Sequence, residues 1–251
     1  MNIAGIILAG GKGTRINSHK VNKVTLPFHG KALINYGVEL LIDIANPIVV
    51  VVGAYAKSVK DCLKDYSVGY AYQQKRLGTA QATKIGLSRL VNQSPTPEIV
   101  IVGYGDHMMF YKKETIKKML AIHNKEKAAI TIITTIYSNP NALAWGRIIR
   151  DENGKIIDSI EQKDATEEQK KINEVNPNFN CFDYSFLIKN INKIKKSPIS
   201  GEYYLPDLIK IAIKQNQKVV GLKVPFNEVG IGINKLPELQ ESQNLYFSNT
   251  N

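Results

Sequence analysis

The stretch Ile3-Ala4-Gly5-Ile6-Ile7-Leu8-Ala9-Gly10-Gly11-Lys12-Gly13-Thr14-Arg15 decides how the chain folds. Ile3 to Leu8 is a short apolar run without polar alternation, the pattern of a strand buried on both faces. It ends in glycines, which let backbone N–H groups approach an anion, and Lys12 and Arg15 add positive charge. The loop is not a Walker A motif, because Gly13 rather than Ser or Thr follows Lys12. Nor is it G-x-G-x-x-G, because Ile16 stands where the third glycine belongs. Taken alone it reads as a phosphate site or as a basic turn.

Outward from this loop the same alternation continues. Ile34 to Ile44 has the apolar spacing of a helix, and Ile48 to Val52 is a β-branched strand stopped by Gly53. Val59 to Leu63 suits a helix, Val68 to Gln73 a strand, Thr79 to Leu90 a helix and Glu98 to Val102 another buried strand. Strands that alternate with helices and are apolar throughout argue for a mainly parallel sheet covered on both faces. In such sheets ligands sit beyond the carboxyl ends of the strands. The loops at Gly10 to Arg15 and Gly103-Tyr104-Gly105-Asp106 both follow strands at such ends.

The second half is more mixed. Lys113 to His123 reads as a helix and Ala129 to Tyr137 as a strand. Arg147 to Ile149 and Lys155 to Ile160 read as a hairpin turned by Asn153-Gly154. Thr166 to Ile172 is a short helix capped near Asp164 or Thr166. Leu205 to Ile213 reads as a helix, Lys218 to Val224 as a strand and Leu236 to Leu245 as a terminal helix. No repeat or linker interrupts the chain, so one mixed α/β domain of Rossmann-like type is expected.

Composition limits the function. Of 251 residues, 43% are hydrophobic, which excludes a mostly disordered chain. Lys and Arg exceed Asp and Glu by 33 − 22 = 11. The lysines are scattered, without interleaved aromatic residues, so no nucleic-acid partner is expected. Cys62 and Cys181 make neither a disulfide framework nor a zinc site. No apolar run is long enough for a signal peptide or a membrane span, so a cytoplasmic chain with no membrane partner is expected.

Besides the glycine loop, two constellations could carry chemistry. Asp106 follows a buried strand, a usual place for a Mg²⁺ ligand near phosphates, and equally for a helix cap. Leu77-Gly78-Thr79 precedes a helix and offers N–H groups and a hydroxyl, or is a simple capped loop. His19, His29, His107 and His123 have no metal-spaced partners and read as non-ligands.

In order along the chain, Leu8 to Arg15, Lys23, Leu77-Gly78-Thr79, Tyr104-Gly105-Asp106 and Gly232-Ile233-Asn234 resemble the sugar-1-phosphate nucleotidylyltransferases. Trp145-Gly146-Arg147-Ile148, Glu161-Gln162-Lys163-Asp164-Ala165-Thr166-Glu167-Glu168-Gln169 and Gly201-Glu202-Tyr203-Tyr204 with Asp207 narrow the resemblance. They are closest to the uridylyltransferase domain of bacterial N-acetylglucosamine-1-phosphate uridylyltransferases.

The resemblance implies a nucleotide-diphospho-sugar transferase fold over 1–235, with a nucleotide half at about 1–112, a sugar-facing half at about 113–235, and a terminal helix and tail at 236–251. It implies UTP and a sugar-1-phosphate as partners and Mg²⁺ as cofactor. Leu8, Ala9, Gly10, Gly11, Gly13, Thr14, Gln73, Gly78, Thr79 and Tyr104 would hold the nucleotide. Arg15, Lys23 and Asp106 would be catalytic, Asp106 and Asn234 would bind the metal, and Gly146, Glu161 and Asn176 would face the sugar. A charged sugar-phosphate oxygen would attack the α-phosphorus and release pyrophosphate, with no protein nucleophile. The resemblance leaves the oligomeric state open. The 251 residues contain no hexapeptide repeat, so no acetyl transfer is expected of them.

The sequence departs from the family pattern at several positions. Asn22 replaces the usual proline before the lysine, and His107-Met108 follows Asp106 where a proline is common. Asn176-Pro177-Asn178 replaces N-T-G. The approaches to Lys23 and Asn234 are each one residue longer. Two other functions remain in view: cytidylyl transfer to phosphocholine or another phosphorylated alcohol, and a nucleotide-binding regulatory module without turnover.

Overall fold

A computed structural model describes residues 1–13, 16 and 21–250, with backbone alone at 249 and 250. In chain order the strands and helices are β1 (Ile3–Ala9), β2 (Pro27–Phe28), β3 (Lys31–Ala32), α1 (Leu33–Leu41), β4 (Ile48–Val52), α2 (Ala56–Cys62), β5 (Gly69–Tyr72), α3 (Thr79–Leu87) and β6 (Ile99–Tyr104). There follow α4 (Lys113–Glu126), β7 (Ile130–Ile136), β8 (Gly146–Arg150), β9 (Ile156–Ile160), α5 (Glu167–Lys170), β10 (Glu174–Asn176) and β11 (Asn180–Asp183). The last are α6 (Tyr184–Asn190), α7 (Leu208–Lys214), β12 (Val219–Lys223) and α8 (Leu236–Thr250).

The main sheet runs β5-β4-β1-β6-β11-β7-β10-β8-β9, with β12 also paired to β7. The first four strands are parallel. β11 enters antiparallel between β6 and β7, and β10, β8 and β9 continue antiparallel. The sheet is therefore mixed, and parallel across β5-β4-β1-β6, as the apolar strands of the first hundred residues require. Successive residues of β1 serve opposite faces. Ile6 and Leu8 pack with Val49, Val51, Val100 and Val102 under α3, while Ile7 and Ala9 pack with Val50, Val52 and Ile101 under α1 and α4. A third cluster, Phe28, Leu33, Tyr36, Phe110 and Ile233, joins the β2–β3 hairpin to α8.

Several elements differ from the sequence reading. α3 stops at Leu87 rather than Leu90, and the helix expected from Leu205 starts as a 3-10 turn over Leu205–Asp207. Thr166, not Asp164, caps α5, in a reciprocal pair with Gln169. The short strands β2, β3, β10 and β11 carry no periodic signal of their own. They form because neighbouring strands supply their partners.

Candidate active site

β1 lies between β4 and β6, so the chain leaves it in one direction and returns on the other side. The carboxyl ends of these strands converge at that switch point. The glycine loop follows β1, Gln73 follows β5 and Asp106 lies two residues beyond β6. Gln73 is buried, its Nε2 donating to Gln81 Oε1 of α3 at 2.6 Å, and it lies so close to Gly10 that a β-carbon there would strike its amide oxygen.

Gly78 has φ +107°, and a β-carbon on it would strike the backbone of Tyr203. Around that contact the Tyr203 N–H donates to the Leu77 carbonyl at 2.8 Å, and the Ala80 N–H donates to the Tyr203 carbonyl at 2.9 Å. The Leu205 N–H donates to Thr79 Oγ1 at 2.9 Å. Two motifs far apart in the chain thus form one wall, and Thr79 serves that wall with its hydroxyl oxygen.

Two cavities meet at this wall. One is lined by Leu8, Ala9, Gly10, Gly11, Gln73, Gly78 and Lys23. The other is lined by Trp145, Glu161, Lys163, Asn178, Tyr204 and Asn234. Thr79, Tyr104, Asp106 and Glu202 face both. Between the cavities the Lys23 ammonium pairs with the Asp106 carboxylate and lies 3.4 Å from Asn234 Oδ1. The Ile233 N–H donates to the Asp106 carbonyl at 3.2 Å, which draws the segment carrying Asn234 back beside β6. Lys23 and Asp106 are 14% and 15% exposed, shielded enough for charge to act strongly yet open to a ligand.

The oxygens of Asp106 and Asn234 face one ammonium, so a cation between them would find both. Among the described residues no group of three or more His, Cys, Asp and Glu gathers as a metal cluster. Two oxygen ligands suit Mg²⁺, which keeps water and phosphate oxygens in its shell. The described histidines bond elsewhere. His123 Nδ1 meets Thr131 Oγ1 at 2.9 Å, and His29 Nε2 meets the Gln243 carbonyl at 2.9 Å. His107 is buried against Trp145, ring centroids 4.7 Å apart, with Nδ1 3.2 Å from the Pro177 carbonyl. Burial holds its pKa down, against the pull of Asp106.

The sugar-side expectations separate in space. Glu161 lines the second cavity, and burial, reinforced by Asp207, pushes its carboxyl up to about 7, with Asn178 opposing. Asn176 does not line that cavity. It is fully buried, donating through Nδ2 to Ser159 Oγ at 3.1 Å and accepting the Asn178 N–H at 2.8 Å. It thereby shapes the turn that presents Pro177 and Asn178. Asn178 takes the left-handed conformation, φ +65°, which asparagine tolerates better than most residues. Gly146 pairs with Asn176 across β8 and β10, and a β-carbon there would press on Ser159 Oγ at 2.9 Å. Burial raises the Tyr104 hydroxyl far above its usual range, so it stays protonated. Thr14 and Arg15 lie outside the described residues.

Among the lining residues given no site role from the sequence are Trp145, Asn178 and Glu202. Trp145 and Glu202 stand inside quoted motifs, yet spacing alone does not show that they face one cavity. Arg147, fully buried, fixes the loop that carries Trp145. Its guanidinium donates to the Trp145 carbonyl at 2.5 Å and to the Pro140 carbonyl at 2.9 Å.

Comparison with known proteins places the chain in a family. Relatives named bifunctional protein GlmU align with most of the chain. That of Caldicellulosiruptor saccharolyticus is 40% identical over 236 residues, 93% of this chain and 50% of its own length. That of Clostridium novyi is 36% identical over 244 residues, 96% and 52% of the two chains. The chain thus spans about half the length of the curated relatives it matches. A solved structure described as UDP-glucose pyrophosphorylase complexed with UDP-glucose shares the fold, with TM-score 0.78 and 18% identity over 99% of this chain and 100% of that one. The nucleotidyl transferase family matches residues 4–227, and the chain belongs to that family.

Proposed function

We propose that this chain transfers a uridylyl group from UTP to a sugar-1-phosphate, N-acetylglucosamine-1-phosphate or one similar, with Mg²⁺ and release of pyrophosphate. The observation that carries the reading is the meeting of Lys23, Asp106 and Asn234 at the junction of two cavities. One cavity would take the nucleotide, the other the phosphorylated acceptor, and the reacting phosphates would meet between them. A phosphate oxygen of the acceptor forms a bond to the α-phosphorus, and the bond from that phosphorus to the pyrophosphate oxygen breaks.

The acceptor oxygen is already ionised, so no protein base is needed. The chain's work is alignment and charge stabilisation. Lys23 neutralises charge at the junction, and Arg15 is assigned to the triphosphate on the resemblance alone. Leu8, Ala9, Gly10, Gly11, Gly13 and Thr14 would cradle phosphates and nucleoside, and Gln73, Gly78, Thr79 and Tyr104 would hold the base and ribose. Asp106 and Asn234 would hold Mg²⁺, which when bound screens phosphate charge. Glu161 would face the sugar, and Gly146 and Asn176, expected there from the resemblance, would support from behind the turn that presents Pro177 and Asn178. A cytoplasmic setting belongs to the same reading, in keeping with two free cysteines. No helix of the described residues is long and apolar enough to cross a membrane.

A second reading, cytidylyl transfer to phosphocholine, draws on the carboxylates of Asp106, Glu161 and Glu202, which outnumber Lys163 in the acceptor cavity. The Glu161 value of about 7 weakens it. Burial favours the uncharged carboxyl there, a hydrogen-bond donor better suited to sugar hydroxyls than to a cation. The test is pyrophosphate release, with and without Mg²⁺, from UTP, CTP, GTP, ATP and dTTP against a panel of sugar phosphates and phosphocholine. Release with UTP and N-acetylglucosamine-1-phosphate is expected. Preference for CTP with phosphocholine overturns the first reading, and no release in any pairing overturns both.

A further inference from the structure

Asn22, the residue that replaces the family's usual proline, is 1% exposed and uses every polar group it has. The two N–H bonds of its side-chain amide are shared among three carbonyls: Ala9 at the end of β1 (2.9 Å), Gly11 in the glycine loop (3.0 Å) and Ala54 in the turn after β4 (2.8 Å). Its Oδ1 accepts the Val24 N–H at 3.1 Å and caps the 3-10 turn that begins at Lys23. Its own N–H donates to Ser58 Oγ at 3.0 Å, and its carbonyl accepts from the Thr25 N–H and hydroxyl. Proline would supply only the last of these acceptors and none of the donors.

These bonds tie together the parts of the chain that must stay in register during transfer. A trans peptide sets N–H opposite C=O. With the Ala9 and Gly11 carbonyls drawn toward Asn22, the Gly10 and Lys12 N–H groups face away from it. The same side chain fixes the start of the turn that aims Lys23 at Asp106. We propose that Asn22 is a positioning residue that sets the glycine loop and Lys23 in one frame for the triphosphate. The inference rests on the nucleotidyl-transfer reading of this site.

The experiment compares wild type, Asn22→Ala and Asn22→Pro for kcat and for the KM of UTP and of N-acetylglucosamine-1-phosphate, with thermal melting as the folding control. The backbone of Asn22 has φ −71°, which proline adopts without strain. Both folded variants should lose at least about tenfold in kcat and raise the UTP KM several-fold, with the acceptor KM within about twofold. Wild-type kcat and UTP KM in either folded variant overturn the proposal, as do equal rises in both KM values. If alanine and proline do not fold, Asn22→Asp keeps the shape and the Val24 cap while turning an oxygen toward the three carbonyls, and the same split decides. An inactive wild type refutes the transferase reading instead. UTP binding by calorimetry then judges Asn22, with an unchanged Kd in the variants overturning the proposal.

Discussion

Lys23 and Asp106 form a shielded ion pair that a ligand can reach, and the chemistry proposed here places both at the reacting phosphates. Removing either should cost on the order of a hundredfold to a thousandfold in kcat. The check is pyrophosphate release by Lys23→Ala and Asp106→Ala, with circular dichroism to confirm the fold. Full turnover in either variant removes that residue from the mechanism. Asp106 was singled out from its place beside a strand end, whereas Lys23 was named only through the family resemblance. Asn176 was not legible in the same way. Its residue type suits a sugar hydroxyl, but its side chain is spent on Ser159 and on the Asn178 N–H, and only the turn it shapes faces the cavity. A side chain's direction depends on cross-strand neighbours that no local pattern specifies.

At the scale of elements, α8 reaches back to the site. Glu238 in its first turn accepts the N–H groups of Asn234 at 2.5 Å and Lys235 at 2.9 Å, and Ser242 donates to the Ile231 carbonyl at 3.1 Å. The helix therefore fixes the backbone of a proposed metal ligand. Glu238→Ala should lower stability by about 1 kcal/mol, the usual cost of a lost cap, or about 2–4 °C in Tm. It should also raise the Mg²⁺ concentration needed for half-maximal activity. Calorimetry and a Mg²⁺ titration test the two halves separately, and an unchanged Mg²⁺ requirement sinks the second. The periodicity of this stretch announced a helix, but its contact with Asn234 arises from where the sheet ends.

For the whole molecule, two half-buried carboxyls at the second cavity and beside it tie stability to pH. Glu161 is raised from 4.5 to about 7 by burial and Asp207, and Asp207 from 3.8 to about 6 by burial, against the pull of Lys210. The folded state thus binds more protons than the unfolded state between these values. Stability contributed by the neutral forms is full near pH 4 and falls as pH rises through about 7. Glu161→Gln, which cannot ionise, should narrow the drop in Tm between about pH 5 and about pH 8. Scanning calorimetry of both proteins at the two pH values checks this, and an unaltered drop refutes it. The excess of 11 positive charges gives no comparable lever. The ion pairs on the surface, such as Lys57–Asp61 and Lys171–Glu168, are solvated and contribute little.

The fold class and the glycine loop at the end of β1 could be read from the chain because both rest on local properties. Apolar strands need two covers, and glycines at a strand end permit close approach of an anion. The parallel order around β1 follows from the alternation of strands with helices. The tertiary structure alone decided that β11 enters antiparallel between β6 and β7 and that Leu77-Gly78-Thr79 docks on Tyr203. It also decided that Asn22 spans three carbonyls where proline could not. Each of these is a contact between segments distant in sequence, and its energy depends on burial and partner geometry that exist only once the sheet has closed around them.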